Sequence, residues 1–247
     1  MREAVLAMAT AAAPAEPLNG VKAYNTIMAV AAGTGLLLIV ALGRKLFRRE
    51  AVLFEGYAVA FAILGFILVT TGLHMTLTWP LNPDFPFDNI IFGEPSLAFG
   101  TMLLGAAFVL WRLGRRMDVW FEPVEVDDDM VTRVRGFAGP ISVFAASIGL
   151  GCIGIAFAGV IYQLFAAPPQ EPISGLLADY PMIEATFISA TYAIIGIGAV
   201  LFPFALRKPT AGLVKTIGVC WTIGGLIWFF FGALNYFTHI GLYVNLM

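Results

Sequence analysis

The chain has 247 residues, of which 60% are hydrophobic and only 12% are charged, and its mean hydropathy is +0.87. Soluble globular domains carry roughly 25% charged residues, so this composition excludes an ordinary water-soluble protein and predicts a protein whose solvent is the lipid bilayer. The net charge of -2 comes without any basic stripe that could follow a phosphate backbone, which excludes nucleic acid as a partner.

Six apolar stretches are long enough to cross a membrane as helices, because about 20 helical residues span the hydrocarbon core. They are residues 24–42, 52–73, 95–113, 137–165, 183–206 and 213–237. The connections between them are short, and an irregular backbone cannot satisfy its hydrogen bonds in lipid. The sequence therefore predicts an all-α fold, a single integral membrane bundle of six transmembrane helices over residues 24–247.

Lys and Arg predict the orientation of this bundle, since cytoplasmic connections are enriched in them. Twelve of the fourteen cations lie around the connections that follow spans one, three and five, and the other two are Arg2 and Lys22. The connections 79–94 and 166–182 and the C-terminal tail contain none. The pattern predicts a multi-pass protein of the plasma (inner) membrane with both termini on the outer side.

Residues 1–23 need a separate interpretation, because a short basic start and an Ala-rich run also resemble a signal peptide. The apolar part is poor in Leu, which favours an extracytoplasmic N-terminal tail.

The rest of the chain suggests two related halves, 24–113 and 137–237, because Glu94 and Glu184 stand at the outer starts of spans three and five. If the halves are related, these two carboxylates lie near each other.

Ionisable side chains collect at the outer ends of four spans. His74 ends span two, Glu94 and Glu184 begin spans three and five, and His239 follows span six, so the helical rise places all four at one depth. Helical spacing predicts that both histidines face the bundle interior. The predicted ligand site consists of eight residues: His74, Thr78, Trp79, Asn89, Glu94, Glu184, Asn235 and His239.

Several chemistries could use this set. His74, Glu94 and His239 are a ligand set suited to a first-row transition-metal ion. A haem held between the two histidines is less favoured, because it needs them on facing helices with room between. A proton-coupled or ligand-binding role needs only one His beside a carboxylate. No catalytic motif such as H-E-x-x-H is present, so the sequence leaves both enzyme activity and cofactor open.

One segment resembles a known family signature. The stretch "TGLHMTLTWPLN", followed by "NIIFGEPSLAFGTMLL", resembles the signature of a prokaryotic multi-pass membrane family known only as a domain of unknown function. The shared elements are His74, Thr78-Trp79-Pro80 and Phe92-Gly93-Glu94-Pro95. The resemblance implies a membrane protein and attaches no activity to it.

These observations lead to one functional hypothesis and two alternatives. The leading hypothesis is a polytopic membrane protein whose outward-facing His/Glu cluster binds a small ligand or metal ion. The first alternative is an accessory or structural subunit that docks a membrane-protein partner, or a second copy of the chain, through its outer loops. The second alternative is a small transporter.

Overall fold

The computed structural model describes residues 26–115 and 122–247, and within these ranges the fold is helical with six long helices. They are α1 (Thr26–Arg48), α2 (Phe54–Thr78), α3 (Glu94–Gly114), α4 (Asp128–Ile161), α5 (Pro181–Arg207) and α6 (Ala211–Leu246). Each is long and apolar enough to cross a membrane, which confirms the prediction of a multi-pass helical protein. The tail predicted at 1–23 lies outside the described residues.

Two of the helices, α4 and α6, begin at a side chain that caps them. Asp127 Oδ1 accepts a hydrogen bond from the Met130 N–H at 2.7 Å and caps α4. Thr210 Oγ1 does the same for α6, accepting from the Leu213 N–H at 3.3 Å. Proline stands at the first position of α5, where its missing N–H would have had no helical partner. Local sequence therefore fixes these starts.

The bundle has two chemically different ends. The loop end holds the start of α1, the connections 79–93 and 162–180 and the end of α6. The connection 79–93 contains a helical turn at Pro86–Asp88 and a π-helical turn at Asn89–Gly93, which leads directly into α3. The opposite end, where α1, α3 and α5 finish, carries the Arg- and Lys-rich segments and is called the basic end here.

The helices pack as three close pairs, α1 with α6, α2 with α3 and α4 with α5. Glycines allow the approach: a Cβ built on Gly33 would lie 2.4 Å from Phe229 N, and one on Gly196 would lie 2.5 Å from Gly149 O. Small residues at contacts let helix backbones come together in lipid. Further contacts of α1 with α2 and of α5 with α6 join the pairs, whereas α3 and α4 touch little.

Candidate functional site

A cavity of about 1030 Å³ lies between the helix pairs. Its wall is largely apolar and is built from α1, α3, α4, α5 and α6, with Phe61 contributed by α2. Small side chains at facing positions leave this space open, among them Ala106 on α3, Ala145 on α4 and Ala199 on α5. The volume reaches the upper end of the range that ligand sites occupy in proteins.

Aromatic rings form the part of the cavity wall that is nearest the loop end. Tyr192 stacks on Phe165 with ring centroids 6.1 Å apart and meets Trp228 edge-on at 5.4 Å. The Tyr192 hydroxyl donates a hydrogen bond to the Ile91 carbonyl at 3.1 Å, which ties α5 to the π-helical turn before α3. Aromatic pairs in these arrangements contribute more stabilisation than the burial of their apolar area alone. The cavity therefore has a rigid aromatic wall on this side.

Basic residues line the cavity where it reaches the basic end. Five cations contribute to the wall: Arg44, Arg48, Arg49, Arg135 and Lys215. None of the described residues that line the cavity is Asp or Glu. The cavity thus joins an apolar interior to a positively charged rim.

The residues predicted on α5 and α6 lie in a partly buried polar group at the loop end. His239 Nδ1 lies 2.9 Å from Thr26 Oγ1, and His239 Nε2 lies 4.0 Å from Glu171 Oε1. Glu184 Oε2 accepts a hydrogen bond from the Ala167 N–H at 2.8 Å, and Asn235 is buried. Thr26 and Glu171 were not among the predicted site residues. The sequence feature that could have indicated Glu171 is a carboxylate in a connection that contains no Lys or Arg.

The residues predicted on α2 and at the start of α3 are placed differently. His74, Thr78, Trp79 and Glu94 are all exposed. The prediction that His74 faces the bundle interior is wrong, because the buried face of α2 contains its neighbour Met75 instead. The prediction of an inward face on α6 is confirmed for Asn235, Trp228 and the half-buried His239.

The two histidines also have different neighbours. The loop end of α2 packs on the start of α3, where a Cβ built on Gly72 would lie 2.6 Å from Leu97 N. The loop end of α6 instead contacts α1 and the 162–180 connection, with Gly241 against Pro172. Within the described part of the chain, no three His, Cys, Asp or Glu side chains are grouped to hold a metal ion. The predicted metal set of His74, Glu94 and His239 therefore has no structural support.

Asn89 is the predicted site residue with the clearest local role. It is buried, its Oδ1 accepts a hydrogen bond from the Leu81 N–H at 3.3 Å, and its Nδ2 donates to the Pro86 carbonyl at 3.2 Å. Without the amide the Leu81 N–H would lose this hydrogen bond, whereas the Pro86 carbonyl would still accept from the Asn89 backbone N–H. Asn89 thus braces the 79–93 connection internally, between its beginning and the π-helical turn.

We expect Asn89→Ala to lower the free energy of unfolding by about 1–3 kcal/mol, because the buried Leu81 N–H would be left without its hydrogen bond. Thermal unfolding in detergent and limited proteolysis within 79–88 would measure the effect. Asn82→Ala is the matched control, since Asn82 is exposed in the same connection. Equal stability and equal cleavage of the two variants would contradict the bracing role.

Comparison with known proteins places the whole bundle in one family. No curated protein and no solved structure matches the chain. A family model described as "Protein of unknown function (DUF981)" matches residues 22–241, which include all six helices up to the last turn or two of α6. Both the cavity and the polar group at the loop end lie within the matched residues. The chain therefore belongs to this family, whose description names no activity.

Proposed function

We propose that this protein binds a lipid-like ligand inside its helix bundle. The observation that supports the proposal is the cavity of about 1030 Å³ with its apolar wall. Protein interiors are packed about as densely as organic crystals, and an unfilled apolar space forfeits the dispersion contacts of every group that lines it. An acyl chain from the surrounding bilayer would restore those contacts without burying any polar group.

The lightly packed side of the bundle offers a route for such a ligand. α3 and α4 have few contacts with each other, and both contribute to the cavity wall. Movement of these two helices apart would break less packing than separation of any of the three close pairs. We place lateral entry from the membrane between α3 and α4.

Quenching of buried tryptophans by brominated acyl chains tests the proposal. Trp221 and Trp228 line the cavity and are only 7% and 6% exposed, so lipid around the outside of the bundle has little access to them. The protein, with its other three tryptophans replaced by phenylalanine, would be reconstituted with lipids brominated on their acyl chains. We expect clear quenching of Trp221 and Trp228.

The control for this experiment is a tryptophan that faces the bilayer. Phe66 is 64% exposed near the middle of α2, so Phe66→Trp in a background without other tryptophans should be quenched by any surrounding brominated lipid. Quenching at position 66 without quenching of Trp221 and Trp228 would mean that no chain enters the cavity. That result would overturn the proposed function.

The proposal includes the orientation predicted from the cations, with the basic end in the cytoplasm. Asp84 and Glu125 are both exposed and stand at opposite ends of the bundle. In a background without Cys152 and Cys220, we expect Asp84→Cys to react with a membrane-impermeant maleimide in intact cells. Glu125→Cys should react only after permeabilisation, and the reverse pattern would overturn the orientation.

A second candidate function is the binding of a small polar ligand or metal ion at the loop end, by fewer residues than the sequence predicted. Its support is the approach of His239 to Glu171, with Glu184 in the first turn of α5 hydrogen-bonded to the same connection. The side chains of His239 and Glu171 are both less than one-fifth exposed. Metal analysis of the purified wild type beside His239→Ala would test it. Metal present in the wild type and lost in the variant supports this candidate, and equal content removes it.

A further inference from the structure

The charge of the basic rim of the cavity indicates which class of head group the ligand has. Three of its cations come from three different helices: Arg44 from α1, Arg135 from α4 and Lys215 from α6. Arg44 and Lys215 stand four residues from their helix ends at the basic end, and Arg135 stands seven from its own. At 1.5 Å per residue, all three lie within roughly 11 Å of the basic end, the depth at which lipid head groups meet hydrocarbon.

The pairing of the rim cations separates them into two classes. Arg49 Nη2 lies 2.6 Å from Asp128 Oδ1, and Arg48 Nη1 lies 3.6 Å from Glu50 Oε1. Arg44, Arg135 and Lys215 have no carboxylate within 4 Å among residues 26–115 and 122–247. The rim therefore keeps three positive charges that the described chain does not neutralise.

A shortage of carboxylates at this end does not explain the missing partners. Glu50, Glu122, Glu125 and the run Asp127–Asp129 all lie at the basic end, yet none of them lines the cavity. The chain instead uses Asp128 to pair Arg49, which lines the cavity, and Asp129 to pair Arg133, which does not. Positive-inside asymmetry accounts for cations at this end, but it does not predict that unpaired ones surround the mouth of an apolar cavity.

We infer that the ligand is an anionic phospholipid of the adjacent leaflet, with its phosphate head group between Arg44, Arg135 and Lys215 and its acyl chain in the cavity. This inference rests on the proposed function. Basic pockets between transmembrane helices suit anionic lipid head groups, and an apolar chain joined to one negative head matches the division of the cavity into apolar wall and basic rim.

The test compares two head groups on identical chains. The Trp221/Trp228 protein is reconstituted in bilayers of equal parts phosphatidylglycerol and phosphatidylcholine, with the brominated chain first on one lipid and then on the other. We expect stronger quenching by brominated phosphatidylglycerol. The variant Arg44→Gln/Arg135→Gln/Lys215→Gln should lose this preference, by roughly fivefold in relative affinity for each cation removed, while brominated phosphatidylcholine still quenches.

A matched triple variant controls for the overall charge of the basic end. Arg133→Gln/Arg207→Gln/Lys208→Gln removes the same number of cations from the same end, but none of these residues lines the cavity. It should keep the wild-type preference, and an equal loss in both triple variants would overturn the inference. If the first triple variant does not fold, the salt dependence of the wild-type protein tests the inference instead. Raising the salt from about 0.1 to about 1 M should weaken the preference for brominated phosphatidylglycerol if that preference rests on charge.

The outcomes also distinguish this inference from the proposed function. Equal quenching by the two lipids in the wild type would overturn the head-group assignment and leave a lipid chain in the cavity. No quenching by either lipid would overturn both.

Discussion

Gly33→Leu is expected to prevent α1 from packing on α6, so that the variant is recovered as aggregated or degraded protein. A Cβ at position 33 would lie 2.4 Å from Phe229 N and 2.7 Å from Gly225 O. Both atoms belong to the backbone of α6, which cannot yield without moving the whole helix. Overpacking in a core typically costs about 1–3 kcal/mol even when side chains can adjust, and here no side chain can absorb the clash.

The expected loss is specific to the helix contact. Gly33→Ala already adds the offending Cβ, so we expect it to fold with a clearly lower melting temperature in detergent. Gly105→Leu is the matched control, because a Cβ at position 105 meets nothing within 4 Å and leucine has the higher helix propensity. Size-exclusion profiles and thermal unfolding would compare the three variants. A monodisperse Gly33→Leu protein with wild-type stability would contradict the α1–α6 contact.

The six helices could be predicted from sequence because bilayer thickness demands about 20 apolar residues, and polar connections interrupt each such run. The rotation of α2 could not be predicted. Its buried face contains Phe61, Leu68 and Met75, while its exposed face contains Ile63 and Phe66, which are 57% and 64% exposed. Where lipid is the solvent both faces are apolar, so hydrophobicity does not distinguish them, and His74 was assigned to the wrong face.

The predicted polar residues lie at the loop end, as counting residues along each helix indicates, but the described residues do not bring His74, Glu94 and His239 together as a metal set. Depth follows from counting residues along each helix, whereas grouping depends on which helices are neighbours. The closest pairs join α6 to α1 and α2 to α3, and the short connections cannot reveal the first of these. His239 therefore meets Thr26 and Glu171, while Glu94 is exposed. The relation between the halves 24–113 and 137–237 stays a prediction.

The cavity has no sequence signature, because no single segment encodes it. It arises from space between three helix pairs, and small residues such as Ala106 and Ala145 line it at positions that resemble ordinary packing residues. In the sequence the five rim cations serve only to predict orientation, and their position around one cavity mouth appears only in three dimensions.

Filling the cavity from two opposite walls should exclude the ligand without unfolding the protein. Gly218 on α6 lines the cavity, and a Cβ built there meets nothing within 4 Å. Ala106 lines it from α3. Position 218 is seven residues from one helix end and position 106 is eight from another, so both lie roughly 11 Å from the basic end. The double variant Gly218→Phe/Ala106→Phe would narrow the cavity at that level.

We expect brominated lipid to lose most of its quenching of Trp221 and Trp228 in this double variant. The stabilisation that added lipid gives the wild type in detergent should fall with it, and that stabilisation is about 2.7 kcal/mol when a ligand is present at 100 times its Kd. Gly105→Phe/Gly151→Phe is the matched control, because both positions have open space and neither lines the cavity. It should retain quenching and lipid stabilisation. If the double variant at 218 and 106 folds and is still quenched as strongly as the wild type, the quenching acyl chain lies outside the cavity. The aromatic wall near the loop end would then be a packing feature without a ligand beside it.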